Sequence, residues 1–246
     1  MVDQSGKVAI VTGASRGIGA AVAERLGRDG FAVIVNYAGN KQAADRVVDT
    51  ITKAGGRAQA VQGDVADVAA ARALFDAAES AFGGVDVLVN NAGIMILSPV
   101  GETKDDDFAR QVDVNVKGTF NTMREAAKRM RDGGRVINCS SAVVHLLMPH
   151  YAVYAATKAA VEAMTTVFAK EMRGRDITVN AFAPGPTETD LFMTGKTPET
   201  IDRLAKMSPL ERLGQPKDIA DVVSFLAGPD GGWVNGQTVR ANGGIV

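Results

Sequence analysis

Short runs of β-branched and other apolar residues alternate along the chain with longer alanine-rich stretches, in which apolar positions recur every three or four residues. The first pattern suits strands and the second suits amphipathic helices. It predicts strands near 7–12, 32–36, 58–61, 86–90, 134–140, 176–181 and 237–240, and helices near 17–29, 41–54, 67–82, 104–131, 152–173 and 216–227. Strict alternation of the two is the mark of repeated βαβ units, so the expected class is α/β: a doubly wound parallel sheet of about seven strands with helices on both faces. The strand runs are nearly continuously apolar, which predicts cover on both faces.

No Pro/Ser-rich linker, low-complexity tract or further repeat interrupts this alternation, so residues 1–246 are expected to form one domain. The long irregular segment, about 184–213, holds Pro184, Gly185, Pro186, Gly195, Pro198 and Pro209 and is a candidate lid over a substrate. It equally suits a variable surface excursion.

Charge narrows the function. Lys and Arg number 27 against 28 Asp and Glu, with no long run of either sign, which argues against nucleic-acid and membrane-surface partners. The single cysteine, Cys139, excludes an intramolecular disulfide, and Met1–Lys7 lacks the layout of a secretory signal, so a cytoplasmic location is expected. No apolar run nears the roughly 20 residues of a membrane span. No Cys/His/carboxylate cluster has structural-zinc spacing, and no metal is expected.

Chemistry begins at the end of the first strand, where Thr12-Gly13-Ala14-Ser15-Arg16-Gly17-Ile18-Gly19 runs straight into a helical pattern. Glycines let backbone approach a ligand closely, and the free N–H groups and dipole of the following helix face a pyrophosphate in Rossmann-type dinucleotide-binding folds. The spacing is G-x-x-x-G-x-G, not the common G-x-G-x-x-G, and the same glycines also suit mere strand–helix packing. The second strand ends in Val35-Asn36-Tyr37-Ala38, with no carboxylate to bind a ribose 2′-hydroxyl or repel a 2′-phosphate. Arg16 sits in the turn, and Lys41 offers a second positive charge at the start of the next helix. The expected cofactor is therefore NADP(H), although a solvated arginine and an ordinary helix-start lysine remain compatible with the pattern.

On the helix near 152–173, Tyr154 and Lys158 stand at i and i+4 and share a face. A free phenol, with pKa about 10, is a poor proton-exchange group at neutral pH, and a nearby ammonium is expected to lower it. So tuned, Tyr154 can donate a proton to a carbonyl oxygen or take one from an alcohol. Tyrosine and lysine so spaced also commonly just pack and solvate. Upstream, Ser141 ends a strand at the sheet edge where ligands bind in such folds, and it suits either a neutral hydrogen-bond donor to substrate oxygen or a turn cap.

Together these residues resemble the short-chain dehydrogenase/reductase family along essentially the whole chain. The pattern is carried by Thr12-Gly13-x-x-x-Gly17-x-Gly19, Asn90-Asn91-Ala92-Gly93, Asn115, Ser141, Tyr154-x-x-x-Lys158 and Pro184-Gly185. The resemblance implies Asn115, Ser141, Tyr154 and Lys158 as the catalytic set, with Asn115 at a helix irregularity holding a water in a proton relay to Lys158. It implies cofactor contacts at Gly13, Ser15, Arg16, Gly17, Ile18, Gly19, Asn36 and Tyr37, at Asp64 and Val65 for the adenine, and at Asn91, Ala92 and Gly93. It adds Tyr154 and Lys158, the latter at the nicotinamide ribose, and Pro184, Gly185, Thr187 and Thr189 near the carboxamide. Asp64 also suits a helix cap, and the asparagines suit turn backbone.

Within the family the chain looks most like NADPH-dependent carbonyl reductases related to beta-ketoacyl carrier-protein reductases. That likeness implies a small carbonyl or alcohol substrate of ketone, aldehyde or 3-oxoacyl type. Ile94–Ile96, the stretch from His145 to His150, and Leu191, Phe192 and Met193 suggest an apolar substrate pocket, with the histidines themselves equally suited to exposed loop positions. Family resemblance also implies a homotetramer joined through the helices near 104–131 and 152–173 and the segment Gly236–Val246. Two alternatives stand beside the NADP(H) enzyme: an NADP-binding redox-sensing regulator without turnover, and an NAD-dependent sugar or alcohol dehydrogenase of the same family.

Overall fold

A computed structural model describes residues 4–246. Seven strands form one sheet: β1 (Val8–Val11), β2 (Ala32–Tyr37), β3 (Arg57–Gln62), β4 (Val87–Asn90), β5 (Arg135–Cys139), β6 (Thr178–Pro184) and β7 (Thr238–Ala241), in the order β3-β2-β1-β4-β5-β6-β7. Every pairing is parallel, as between Val8 and Ala32 or Val87 and Arg135. Because side chains alternate across a strand, β1 divides its residues between two cores. Ala9 and Val11 join one with Val33, Val35, Leu26 and Phe31, and Val8 and Ile10 join the other with Ile34, Leu74, Phe75 and Leu88. Burying a side chain such as Phe31 or Leu74 contributes about 1.5–3 kcal/mol.

Helices α1 (Gly17–Arg28), α2 (Lys41–Lys53) and α10 (Pro216–Ala227) supply residues to the first core. Helices α3 (Val68–Phe82), α5 (Gly118–Arg129) and α7 (Ala152–Glu171) supply the second. The chain builds β1, β2 and β3 in one direction and then crosses to place β4 on the far side of β1. Their loops diverge there, opening a crevice at the carboxyl ends of β1 and β4 where doubly wound folds bind ligands.

Three expectations are corrected. Cover on both faces fails for β3, whose Arg57, Gln59 and Gln62 are exposed, because an edge strand has one neighbour and half its cover. The helix expected over 104–131 is α4 (Asp105–Val112) and α5, joined by a π turn at Asp113–Lys117. The segment 184–213 is not simply irregular. It contains α8 (Asp190–Met193) and α9 (Pro198–Lys206), whose first turns are capped by the Thr189 and Thr197 hydroxyls, and Pro198 sits at the start of α9 where its missing N–H costs nothing. A short helix, α6 (Val143–Leu146), also follows β5.

Candidate active site

One cleft of about 540 Å³ opens at the carboxyl ends of β1, β4, β5 and β6. Its floor is the glycine turn. Gly13 has φ +61°, and a Cβ there would stand 2.8 Å from the Ala92 Cα; one on Gly19 would stand 2.4 Å from both the Gly13 carbonyl oxygen and the Asn91 amide nitrogen. These positions therefore exclude side chains and bring the turn against the segment after β4. Hydrogen bonds fix that contact: the Thr12 hydroxyl accepts from the Asn91 and Ala92 N–H groups at 3.0 Å each, and the Asn91 amide donates to the Thr12 and Gly13 carbonyls.

Asn36 is buried at the end of β2. Its oxygen accepts from Gly13 N–H at 3.2 Å, and its amide donates to the Val61 and Gly63 carbonyls. A neutral amide thus ties three strand ends together where a carboxylate would carry charge into the cleft. Arg16 is exposed at the mouth, and no ion pair among the described residues involves it. Lys41, by contrast, pairs with Asp45 at 2.7 Å and does not line the cleft.

Across the cleft stand Ser141, Tyr154 and Lys158. The Lys158 ammonium is buried and donates to the Cys139 carbonyl at 2.8 Å; it lies 5.8 Å from the centre of the Tyr154 ring. The Ser141 hydroxyl engages the Tyr154 phenol and also accepts a long, 3.4 Å bond from Val143 N–H, so it serves as a local cap as well.

A family model described as enoyl-(acyl carrier protein) reductase matches residues 13–246. An uncharacterized oxidoreductase of Methylorubrum extorquens is 47% identical, with 98% of each chain covered. The chain belongs to the short-chain dehydrogenase/reductase family. An NADPH-dependent aldehyde reductase-like chloroplastic protein of Arabidopsis thaliana is 44% identical over 98% of this chain and 95% of that one. A short-chain dehydrogenase of Burkholderia cenocepacia, solved in complex with NADP, superposes with a TM-score of 0.93 at 36% identity, with 98% of each chain covered.

As a short-chain dehydrogenase/reductase the chain brings nearly all of its sequence-predicted site residues to this cleft. Gly13, Ser15, Arg16, Gly17, Ile18 and Gly19 line it from the turn, Asp64 and Val65 from the loop after β3, and Asn91, Ala92 and Gly93 from the loop after β4. Pro184, Gly185, Thr187 and Thr189 line it beyond β6. Tyr37 does not: at 4% exposure its ring packs in the first core, because the strand alternation that turns Asn36 toward the turn turns Tyr37 away.

Asn115 is fully buried in the π turn and lies behind the lining. Its side chain accepts from Ile94 N–H and donates to the Ile94 carbonyl, both at 2.9 Å, and donates to the Thr157 hydroxyl at 3.1 Å. Thr157 in turn donates to the Tyr154 carbonyl. The Asn115 backbone carbonyl accepts from the Thr119 hydroxyl at 2.9 Å.

The expected effect of Lys158 on Tyr154 is not what prevails. Burial pushes the Tyr154 phenol well above its ordinary value, the Cys139 and Tyr151 side chains add to the rise, and the Ser141 hydrogen bond opposes it. Lys158, whose ammonium donates to the Cys139 carbonyl, is not among the groups that offset the burial. Asp64 goes the other way: although burial alone would raise it, the Ala66 N–H and the Arg110 guanidinium at 2.7 Å hold its carboxyl below the usual range. Helix capping falls instead to Asp67, which accepts from Ala69 N–H.

Sequence reasoning missed Gln111, 1% exposed, whose oxygen accepts from Ile96 N–H at 3.0 Å. Gln111 and Asn115 are four apart, on one helical face, and hold residues two apart in the extended segment 94–96. Two side-chain amides thereby stand in for a neighbouring strand. The i,i+4 pair of amides is visible in the sequence, but its partners are backbone groups that only tertiary contact identifies. Arg110 and Ile245, which also line the cleft, carried no local signal either.

Proposed function

We propose that this chain is an NADP(H)-dependent oxidoreductase acting on a carbonyl or alcohol group, with Tyr154 as the acid/base. The observation that carries the reading is the joint placement of Tyr154, Ser141 and Lys158 across one cleft from a turn that no side chain can fill. NADPH, when bound, supplies the hydride.

The residues present fit such a cofactor. The turn from Gly13 to Gly19 offers close backbone approach and the amino end of α1 to a pyrophosphate. Arg16 provides a free guanidinium suited to forked binding of a 2′-phosphate, and neutral Asn36 removes the carboxylate that would repel it. Asp64 and Val65 would border the adenine, Asn91, Ala92 and Gly93 the central region, and Pro184, Gly185, Thr187 and Thr189 the nicotinamide end. The Arabidopsis relative, named for NADPH dependence, and the Burkholderia structure in complex with NADP support that choice.

Tyr154 then holds a proton at its phenol oxygen, kept neutral by burial, and passes it to the substrate oxygen during reduction. Ser141 donates a hydrogen bond to that oxygen as negative charge develops. Lys158 lies beside the pair, and Asn115 holds the wall at Ile94 and a water that relays protons to Lys158. The segment 184–213 acts as a lid, and the assembled protein is a homotetramer.

Oxidation of NADPH against a panel of ketones, ketoesters, quinones and aldehydes tests this reading beside Tyr154→Phe. Turnover by some member and loss of about 10²–10⁴-fold in the variant are expected. Equal turnover by the variant removes Tyr154 from its role.

A further inference from the structure

Resting on the carbonyl-reductase reading, we propose that the substrate is an uncharged, predominantly apolar ketone, aldehyde or quinone, and that the cleft rejects carboxylated, phosphorylated and carrier-tethered analogues.

The walls around Tyr154 come from four separate parts of the chain and agree in character. Ile94 and Met95 follow β4, and Leu146 and Met148 border α6. Leu191, Phe192 and Leu204 come from α8 and α9, and Ile245 closes the far side. Such a surface gains by excluding water from apolar groups and offers a sugar few polar partners.

Charge decides the rest. Only three cations line the cleft among the described residues: Arg16, Arg110 and Lys158. Arg16 stands at the turn, Arg110 is paired with Asp64, and Lys158 donates to the Cys139 carbonyl. Lys196, four residues beyond Phe192 and outside the lining, folds over the Phe192 ring at 4.6 Å from its centre and donates to the Phe192 carbonyl, and burial lowers its pKa. Among the described residues lining this end, no guanidinium or ammonium remains unengaged to receive an anion, and Asp190 adds a carboxylate; Arg240 lies in the adjoining pocket, outside this lining, with its guanidinium against the His145 ring at 3.1 Å. An anionic group here would lose water without gaining a partner, which is the costly case for burial.

The outer face of the segment gives no docking charge for an acidic carrier. Between 188 and 212 the chain carries Lys196, Arg203, Lys206 and Arg212 against Glu188, Asp190, Glu199, Asp202 and Glu211. Lys206 pairs with Asp202 and Arg212 with Asp218.

Matched pairs test the proposal: aryl ketone, aryl aldehyde and ortho-quinone, each with and without a ring carboxylate, assayed for kcat/KM with NADPH and for binding by calorimetry to the protein saturated with NADP. The neutral member should lead by at least about tenfold in both readouts. Acetoacetyl-coenzyme A should be a poorer substrate than the neutral ketones. Leu191→Arg, at a half-exposed position, and independently Met148→Arg, should narrow or invert the carboxylate penalty while NADPH affinity stays unchanged. Equal or higher kcat/KM for the carboxylated members, or preference for the thioester, overturns the proposal and leaves the reductase reading standing. Absence of NADPH oxidation with every carbonyl overturns that underlying reading instead.

Discussion

Tyr154 and Arg16 show how far a single side chain determines behaviour here. Burial raises the Tyr154 phenol, so the neutral, proton-donating form persists through neutrality and beyond. Carbonyl reduction should therefore be nearly flat across neutral pH and fall only in alkali, and a pH profile of kcat checks it. The sign for stability follows from the same shift. A folded pKa above the unfolded value of about 10 contributes stability fully present below that value and lost as pH rises from there through the folded pKa. Thermal midpoints measured up the alkaline range should fall more steeply in the native protein than in Tyr154→Phe. At the other end of the cleft, Arg16→Ala should weaken NADPH binding by roughly tenfold or more, from loss of a charge-assisted hydrogen bond, and leave NADH binding nearly unchanged. Fluorescence titration with both nucleotides decides it, and equal losses would refute the phosphate assignment. Both residues were legible in the sequence because each is marked by its neighbours: Arg16 by the glycines, Tyr154 by Lys158 one turn on. The direction of the Tyr154 shift was not, because spacing reports nearness of charge and not depth of burial.

At the scale of elements, the site depends on one turn and one pair of amides. Gly19→Ala would drive a methyl group into the Gly13 carbonyl and the Asn91 amide, and should abolish NADPH binding in the same titration while the far-ultraviolet circular dichroism keeps its α/β form. Gln111→Leu leaves the Ile96 N–H without its partner at a cost of about 1–3 kcal/mol. Because Gln111 holds the apolar wall and not the phosphate turn, KM for the carbonyl substrate should rise severalfold or more with little change in NADPH affinity. Unaltered KM would return Gln111 to a purely structural part. The glycine turn was readable because local backbone needs write themselves as glycines. The π turn was not readable from periodicity, since one extra residue in a turn barely disturbs an apolar stripe, and only the family resemblance pointed to an irregularity at Asn115. The two helices within 184–213 escaped notice because their apolar faces are short, although Thr197-Pro198 is a start signal in its own right.

For the whole molecule, binding and assembly are the expected sources of added stability. A nucleotide that binds only the folded state raises the thermal midpoint, by about 2.7 kcal/mol of stabilisation at a concentration one hundred times Kd. NADPH should therefore shift the midpoint of the native protein and shift that of Gly19→Ala little or not at all. The proposed homotetramer is tested by sedimentation. Trp233 is 100% exposed just before the carboxyl-terminal segment, and Trp233→Ser should weaken association if that segment forms a contact. A native protein sedimenting as a monomer would refute the tetramer.

The order of strands and helices, the glycine cradle and the Tyr154/Lys158 pair follow from the sequence alone, because each is set by local periodicity or by residues within one turn of each other. Tertiary structure alone decided that β3 lies exposed at an edge, that Tyr37 faces the core, that Lys158 is turned to a carbonyl, and that Gln111 and Asn115 brace the segment 94–96. Those outcomes turn on which distant groups meet and how deeply they are buried, and neither quantity is carried by any short stretch of chain.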